Sequence, residues 1–309
     1  MVNTKESKEK KPPTWQIWWT AARPHTLTAS LCPCLVSYAA CRPPWKLHIV
    51  WTVFCMTVQL GTNLHNDYAD AVLGADTEER VGQARATAKG WLTPQQTLRA
   101  SCTVLLGTFV AGVWLAFATE QSHNPMVWGL ILTSVLNAFA YTGGPVPLGY
   151  IGLSHWSIAY SGLGDVFCMA YFGFVATLMM PFLLRMDLPW LYALQVGCLA
   201  TNILVVNNLR DRFTDVKANK RTTAVRFGKF FSLYEYVLLL AITYGLVLLD
   251  AFQHRSMWRL LPCLTMPLAK KEIEAIWTKE GSLLNQHVGG AAKLQLAFCV
   301  LLAIGLHYT

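Results

Sequence analysis

Residues 47–70 read LHIVWTVFCMTVQLGTNLHNDYAD. Positions 47–64 carry no Asp, Glu, Lys or Arg, and their length approaches what a helix needs to cross the hydrocarbon core of a bilayer. Asp67 and Asp70 follow with no Gly or Pro to break the helix first, so the same rod that enters the apolar phase also carries the acids. A carboxylate near membrane depth is costly to place, and its position is therefore informative. Residues 188–215, LPWLYALQVGCLATNILVVNNLRDRFTD, repeat the arrangement with Asp211 and Asp215. Both stretches contain Asn-x-x-x-Asp, as Asn63/Asp67 and Asn207/Asp211. Four residues make one helical turn, which stacks each amide beneath its acid on one face. Asp70 extends the first face and Asp215 the second. Each helix end thus offers two carboxylates and an amide oxygen, hard donors of the kind Mg²⁺ takes together with water and substrate phosphates. Neither end is a complete cage, which suits a bridging diphosphate.

The neighbouring cations extend this reading. Arg80, Arg85 and Lys89 follow the first cluster, and Lys217, Lys220, Arg221 and Arg226 follow the second. A metal alone needs no such cations, whereas phosphate oxygens take the forked donors of Arg and the compact charge of Lys. A solitary basic residue would be read as a solvated cap; two matched clusters with basic tails are not. His65 lies off the Asn63/Asp67 face and reads as a solvated neighbour.

Working outward, 309 residues that are 54% apolar and only 14% charged exclude a water-soluble globule. Apolar runs predict nine spans, near 26–41, 47–64, 97–119, 125–141, 163–184, 188–206, 231–252, 257–269 and 289–307, packed as an all-α bundle around a central cavity. Lys and Arg concentrate on the cytoplasmic side of membrane proteins. With nine spans, only Arg42, Lys46, Arg185, Arg255 and Arg259 of the 25 Lys and Arg fall on one side, and the remainder share the other with both acidic clusters. The net charge of +8 therefore reads first as topology and second as attraction for phosphates or anionic headgroups. No basic arm interleaved with aromatics points to nucleic acid. The nine cysteines are scattered, mostly within spans, and read as small core residues rather than a disulfide or zinc framework. Residues 1–20 read as a disordered basic arm and 21–309 as the transmembrane domain. A bacterial inner membrane and a eukaryotic organelle membrane both fit, and the oligomeric state is not readable.

Several segments together resemble the UbiA superfamily of intramembrane aromatic prenyltransferases. They are Ala22-Arg23-Pro24-His25-Thr26-Leu27, Asn66-Asp67-Tyr68-Ala69-Asp70 through Gly74-Ala75-Asp76, Tyr141-Thr142-Gly143-Gly144-Pro145, Gly162-Leu163-Gly164-Asp165, Asn207-Asn208-Leu209-Arg210-Asp211 and Lys220-Arg221-Thr222. The nearest likeness is to the 1,4-dihydroxy-2-naphthoate polyprenyltransferase branch of quinone biosynthesis. That resemblance implies transfer of a prenyl group from a polyprenyl diphosphate to the naphthoate, with loss of CO₂ and diphosphate; 4-hydroxybenzoate or homogentisate is the alternative acceptor. It implies Mg²⁺ on Asp67, Asp70, Asp211 and Asp215. Diphosphate contacts would come from Asn63, Asn66, Arg80, Arg85, Lys89, Asn207, Lys220 and Arg221. Asp165 would orient or deprotonate the acceptor, or else cap its helix; Tyr141 would face the carbocation, or else anchor at the interface. The chain departs from the family pattern in an insertion over 154–163 and in Asn219, where glycine is common. A CDP-alcohol phosphotransferase would need a contiguous D-G and A-R acidic run, absent here. A transporter would carry its carboxylates mid-span beside broken helices.

Overall fold

Two helices of 28 residues carry the acidic clusters: α3, Trp45–Val72, and α7, Trp190–Lys217. At 1.5 Å per residue each is about 42 Å long, against a hydrocarbon thickness near 30 Å, so one end of each must project toward the headgroups. The computed structural model describes residues 11–72, 81–82, 85–143 and 162–308. Within these the remaining elements are α1 (Thr14–Ala22), α2 (Thr28–Cys41), α4 (Pro94–Ala118), α5 (Pro125–Gly143), α6 (Gly164–Leu183), α8 (Thr223–His254), α9 (Met266–Thr278) and α10 (Asn285–His307).

The fold is all-helical, and among the described residues seven helices (α3 to α8 and α10) are long and apolar enough to cross a membrane. Two of the nine expected spans fall short of that standard. Over 26–41 the helix is α2, which has only 14 residues and contains Pro33. Residues 257–269 begin as a 3₁₀ segment, Met257–Thr265, and continue into α9, where Lys270, Lys271, Glu272 and Glu274 end the apolar run. The arm expected over 1–20 also needs correction, because the chain is helical from Thr14. Ile17 and Ala21, one turn apart, are buried against Leu64, Ala86 and Leu92, while Trp15 and Trp19 stay exposed. That face supplies the burial a disordered arm would lack.

Local chemistry sets the boundaries. Thr93 and Gln96 form a reciprocal capping box at the start of α4, with Pro94 at its first position. Asn219 adopts φ 55°, a left-handed backbone that Asn tolerates. Arg42, Arg185 and Arg255, all assigned to the sparsely charged side, occupy left-handed turns at helix ends. A π-helical stretch, Met169–Val175, lies inside α6 and shifts its register where it passes α7. There a Cβ on Gly173 would stand 2.7 Å from the Cα of Gly197, so the two backbones approach as only small residues permit.

Besides the small cluster under α1, two larger apolar cores result. One joins α2, α7, α8 and α10 through residues such as Val36, Val196, Leu233 and Phe298. The other joins α2 to α6 through Cys34, Trp51, Leu115, Ile131 and Met180. Large apolar side chains on the outside, including Leu106, Val110, Phe117 and Leu238, are exposed in a pattern that suits contact with lipid tails.

Candidate active site

A cavity of about 320 Å³ opens between the helices, walled chiefly by α3, α5, α6 and α7. On α3 its wall is a stripe at helical spacing: Trp51, Cys55, Gln59, Asn63, Asn66 and Asp70. On α7 it is Ala200, Leu204, Asn207, Asp211 and Asp215, one turn apart. The two acidic ends, far apart in sequence, therefore face one space.

A direct bond joins them. Asp70, 2% exposed, accepts from Arg85 Nη2 at 2.9 Å and from Lys220 Nζ at 3.1 Å. Lys220 belongs to the basic tail of the second cluster, 150 residues away. Asp211 is gripped in bidentate fashion by its neighbour Arg210, with Nε to Oδ1 at 2.8 Å and Nη2 to Oδ2 at 2.6 Å. The same guanidinium donates to Asn207 Oδ1 at 2.8 Å. Asp215 lines the outer rim, and its carbonyl accepts from the Lys220 backbone N–H at 2.8 Å.

Other expected residues fall in different places. Asp67 is 1% exposed and does not line the cavity; its Oδ2 accepts from the Thr87 N–H at 3.3 Å and the Thr87 hydroxyl at 3.1 Å. At about 100° per residue Asp67 falls about 40° beyond Asn63, just past the edge of the cavity stripe and about 100° round from Asn66. Asn63 lines the cavity, but its Nδ2 donates to Ala22 O and Thr26 Oγ1, both at 2.9 Å, and its Oδ1 accepts from Gln59. It ties α3 to the turn after α1. Asn66 accepts a hydrogen bond from the Thr142 hydroxyl, joining α3 to α5. Lys89 and Arg221 are exposed and lie outside the cavity wall, and Arg80 is outside the described residues, as is 154–161, most of the inserted segment.

Asp165, 6% exposed, lines the cavity near the start of α6 and accepts from Asn208 Nδ2 at 3.4 Å and from the Thr223 hydroxyl. Tyr141 lines the wall beside Gly164, where a Cβ would stand 3.5 Å from the tyrosine hydroxyl. Sequence reasoning gave no role to Arg23, which lines the cavity, or to Arg210 and Thr87, which hold the acids. Arg23 and Arg210 were visible in the family-like segments; nothing about Thr87 singles it out before α3 and α4 are packed together.

No three His, Cys, Asp or Glu among the described residues stand close enough to hold a metal by themselves. The donors on the wall do suit a hard cation that shares its coordination with phosphate: Asp70, Asp211 and Asp215 are carboxylates, and Asn66, Asn207 and Asn208 are amides.

Acids and cations thus converge at one end of a cavity among the membrane-spanning helices. Residues 30–282 match the UbiA prenyltransferase family, and the chain belongs to it. It is an integral multi-pass membrane enzyme that transfers prenyl groups. It is 30% identical to the 1,4-dihydroxy-2-naphthoate octaprenyltransferase of Escherichia coli (strain K12), over 92% of this chain and 94% of that one. The Haemophilus influenzae enzyme of the same name is 29% identical, over 94% and 96%. A UbiA homolog from Archaeoglobus fulgidus bound to DMAPP and Mg²⁺ superimposes with a TM-score of 0.62 at 14% identity, covering 93% of this chain and 99% of that one. The last likeness concerns the fold alone.

Proposed function

We propose that this enzyme transfers the prenyl group of a polyprenyl diphosphate to 1,4-dihydroxy-2-naphthoate in a Mg²⁺-dependent reaction that releases diphosphate and CO₂. The observation that carries the reading is the pairing of Asp70 with Lys220, which sets the acidic ends of α3 and α7 at one mouth of one cavity. The names of the Escherichia coli and Haemophilus influenzae relatives favour the naphthoate as acceptor.

Asp70, Asp211 and Asp215 would hold Mg²⁺, which when bound supplies positive charge to the departing diphosphate. Asp67, fixed by Thr87, supports the first helix end from behind the wall. Arg85 and Lys220, pre-positioned on Asp70, add cationic donors for the phosphate oxygens as the allylic C–O bond breaks. Arg210 keeps Asp211 and Asn207 aimed at the same volume. The leaving electron pair stays with the diphosphate, and the ring attacks the allylic cation while Tyr141 offers its π face to the charge. Loss of the carboxyl group as CO₂ returns the bonding pair to the ring and restores its aromaticity. Asp165, held by Asn208 and Thr223, orients an acceptor hydroxyl. Water exclusion by the bundle strengthens each of these interactions. We take α2 and the 257–278 segment to complete nine crossings, which would keep both acidic ends on the densely basic side.

The test incubates purified protein with Mg²⁺, 1,4-dihydroxy-2-naphthoate and a labelled prenyl diphosphate, and follows prenylated naphthoquinol and CO₂. Both products are expected. Product with 4-hydroxybenzoate and none with the naphthoate would overturn the acceptor assignment.

A further inference from the structure

The proposed function puts two dissimilar guests in one cavity, a ring with polar substituents and an apolar tail, and the walls are correspondingly unlike. At the depth of the middle turns, α6 and α7 present Phe172, Val175, Ala200, Ile203 and Leu204. Facing them, α3 and α5 present Gln59, Thr62, Ser134 and Asn137. The hydroxyls of Thr62 and Ser134 are committed to their own helices, donating to Val58 O at 2.8 Å and Leu130 O at 2.7 Å. The two carboxamides keep capacity to spare. Gln59 spends its Nε2 on Asn63 at 3.1 Å and leaves its carbonyl oxygen without a bonded donor among the described residues. Asn137 makes no hydrogen bond among the described residues.

The two amides share a level. Thr142 bonds Asn66, which marks equal heights on α5 and α3. Both helices run toward the acidic end. Asn137 is five residues below that mark and Gln59 seven, which places them about 8 and 10 Å beneath it at the α-helical rise. An uncommitted amide inside a membrane-spanning bundle is costly unless something bonds to it. Ser134, Asn137, Ala138 and Tyr141 form one cavity face of α5, so Asn137 stands one turn below Tyr141, within reach of a fused ring whose reacting edge lies near the diphosphate.

We propose that Asn137 and Gln59 form the specificity contact for the aromatic acceptor, with their carboxamides bonding its ring oxygens, and that the tail lies along the α6 and α7 wall. An amide serves this purpose because it offers both a donor and an acceptor to hydroxyl and carboxylate groups. The inference rests on the aromatic-acceptor reading of the function.

Steady-state kinetics on Asn137→Leu and Gln59→Leu test it. The acceptor KM is expected to rise about five- to tenfold in Asn137→Leu, the loss that follows when a site loses a hydrogen bond to its substrate. The prenyl diphosphate KM should stay within about twofold of the parent, since nothing at the phosphate end has changed. A purely structural role for Asn137 would move both constants together or lower the amount of folded enzyme. A thermal melt in detergent checks folding; should Asn137→Leu not fold, Asn137→Ser is read by the same split. An unchanged acceptor KM, or a parallel rise in both, overturns the proposal. A parent enzyme that uses hydroxybenzoate in place of the naphthoate overturns only the acceptor assignment, because the split is measured with whichever aromatic acceptor turns over.

Discussion

Asp70 is the residue on which the acidic end of the cavity turns. It receives Arg85 from the loop before α4 and Lys220 from the turn after α7, so one carboxylate organises cations from two distant parts of the chain. Asp70→Asn keeps the size and removes the charge; we expect kcat/KM for the prenyl diphosphate to fall about a hundredfold or more, measured in the same prenyl-transfer assay. Arg210→Lys tests a subtler demand. A point charge cannot reproduce the fork that holds both oxygens of Asp211, so about a tenfold loss is expected with little change in melting temperature. Asp67 shows what spacing alone conceals. An Asn-x-x-x-Asp ladder places two residues roughly on one face, and a turn of 100° per residue spreads that face enough for Asn63 to reach the cavity while Asp67 reaches Thr87. The partner decides the outcome, and the partner comes from a loop whose path no local pattern encodes.

At the scale of elements, close backbone approach and buried pairing hold the site's scaffold. The contact of Gly173 with Gly197 lets α6 and α7 converge beside the cavity, and a larger side chain there has nowhere to go. Gly197→Val is expected to cost about 1–3 kcal/mol through overpacking, read as a lower melting temperature in detergent. On the opposite side, Asp250 on α8 is 2% exposed and accepts from Arg259 Nη1 at 2.8 Å and Tyr192 Oη at 3.1 Å. Those three residues join α7, α8 and the 257–265 segment far from the chemistry. Asp250→Ala strands the Arg259 charge, and we expect about 3–5 kcal/mol of destabilisation, measured by unfolding, with the prenyl diphosphate KM of the folded fraction unchanged. Helix identity was legible in the apolar runs. The π turn of α6 was not, because it arises where α6 must pass close to α7.

For the whole molecule, the nine-span reading puts five cations on one side, and the fold gives two of them specific work: Arg259 pairs with Asp250, and Arg42 donates to the carbonyl of His307 at 3.4 Å. Single cysteines introduced at Lys89 and at Asp187 in a cysteine-free background should react with an impermeant maleimide from opposite faces of the membrane; labelling from the same face would break the topology. That α3 and α7 share an orientation was readable from counting spans. That their ends meet was not, since the contact of Lys220 with Asp70 depends on how the intervening helices pack. The central claim is that the two acidic ends act as one unit on one diphosphate, and a double-mutant cycle measures this most directly. Prenyl transfer is assayed with saturating Mg²⁺ and with EDTA for the parent, Asp70→Asn, Asp211→Asn and the double variant. Groups that act as a unit lose most of their effect on the first substitution, so the double variant should be little worse than either single one, with EDTA abolishing the parent's activity. Strictly multiplicative losses, or an Asp211→Asn enzyme with full Mg²⁺-dependent activity, would contradict the account.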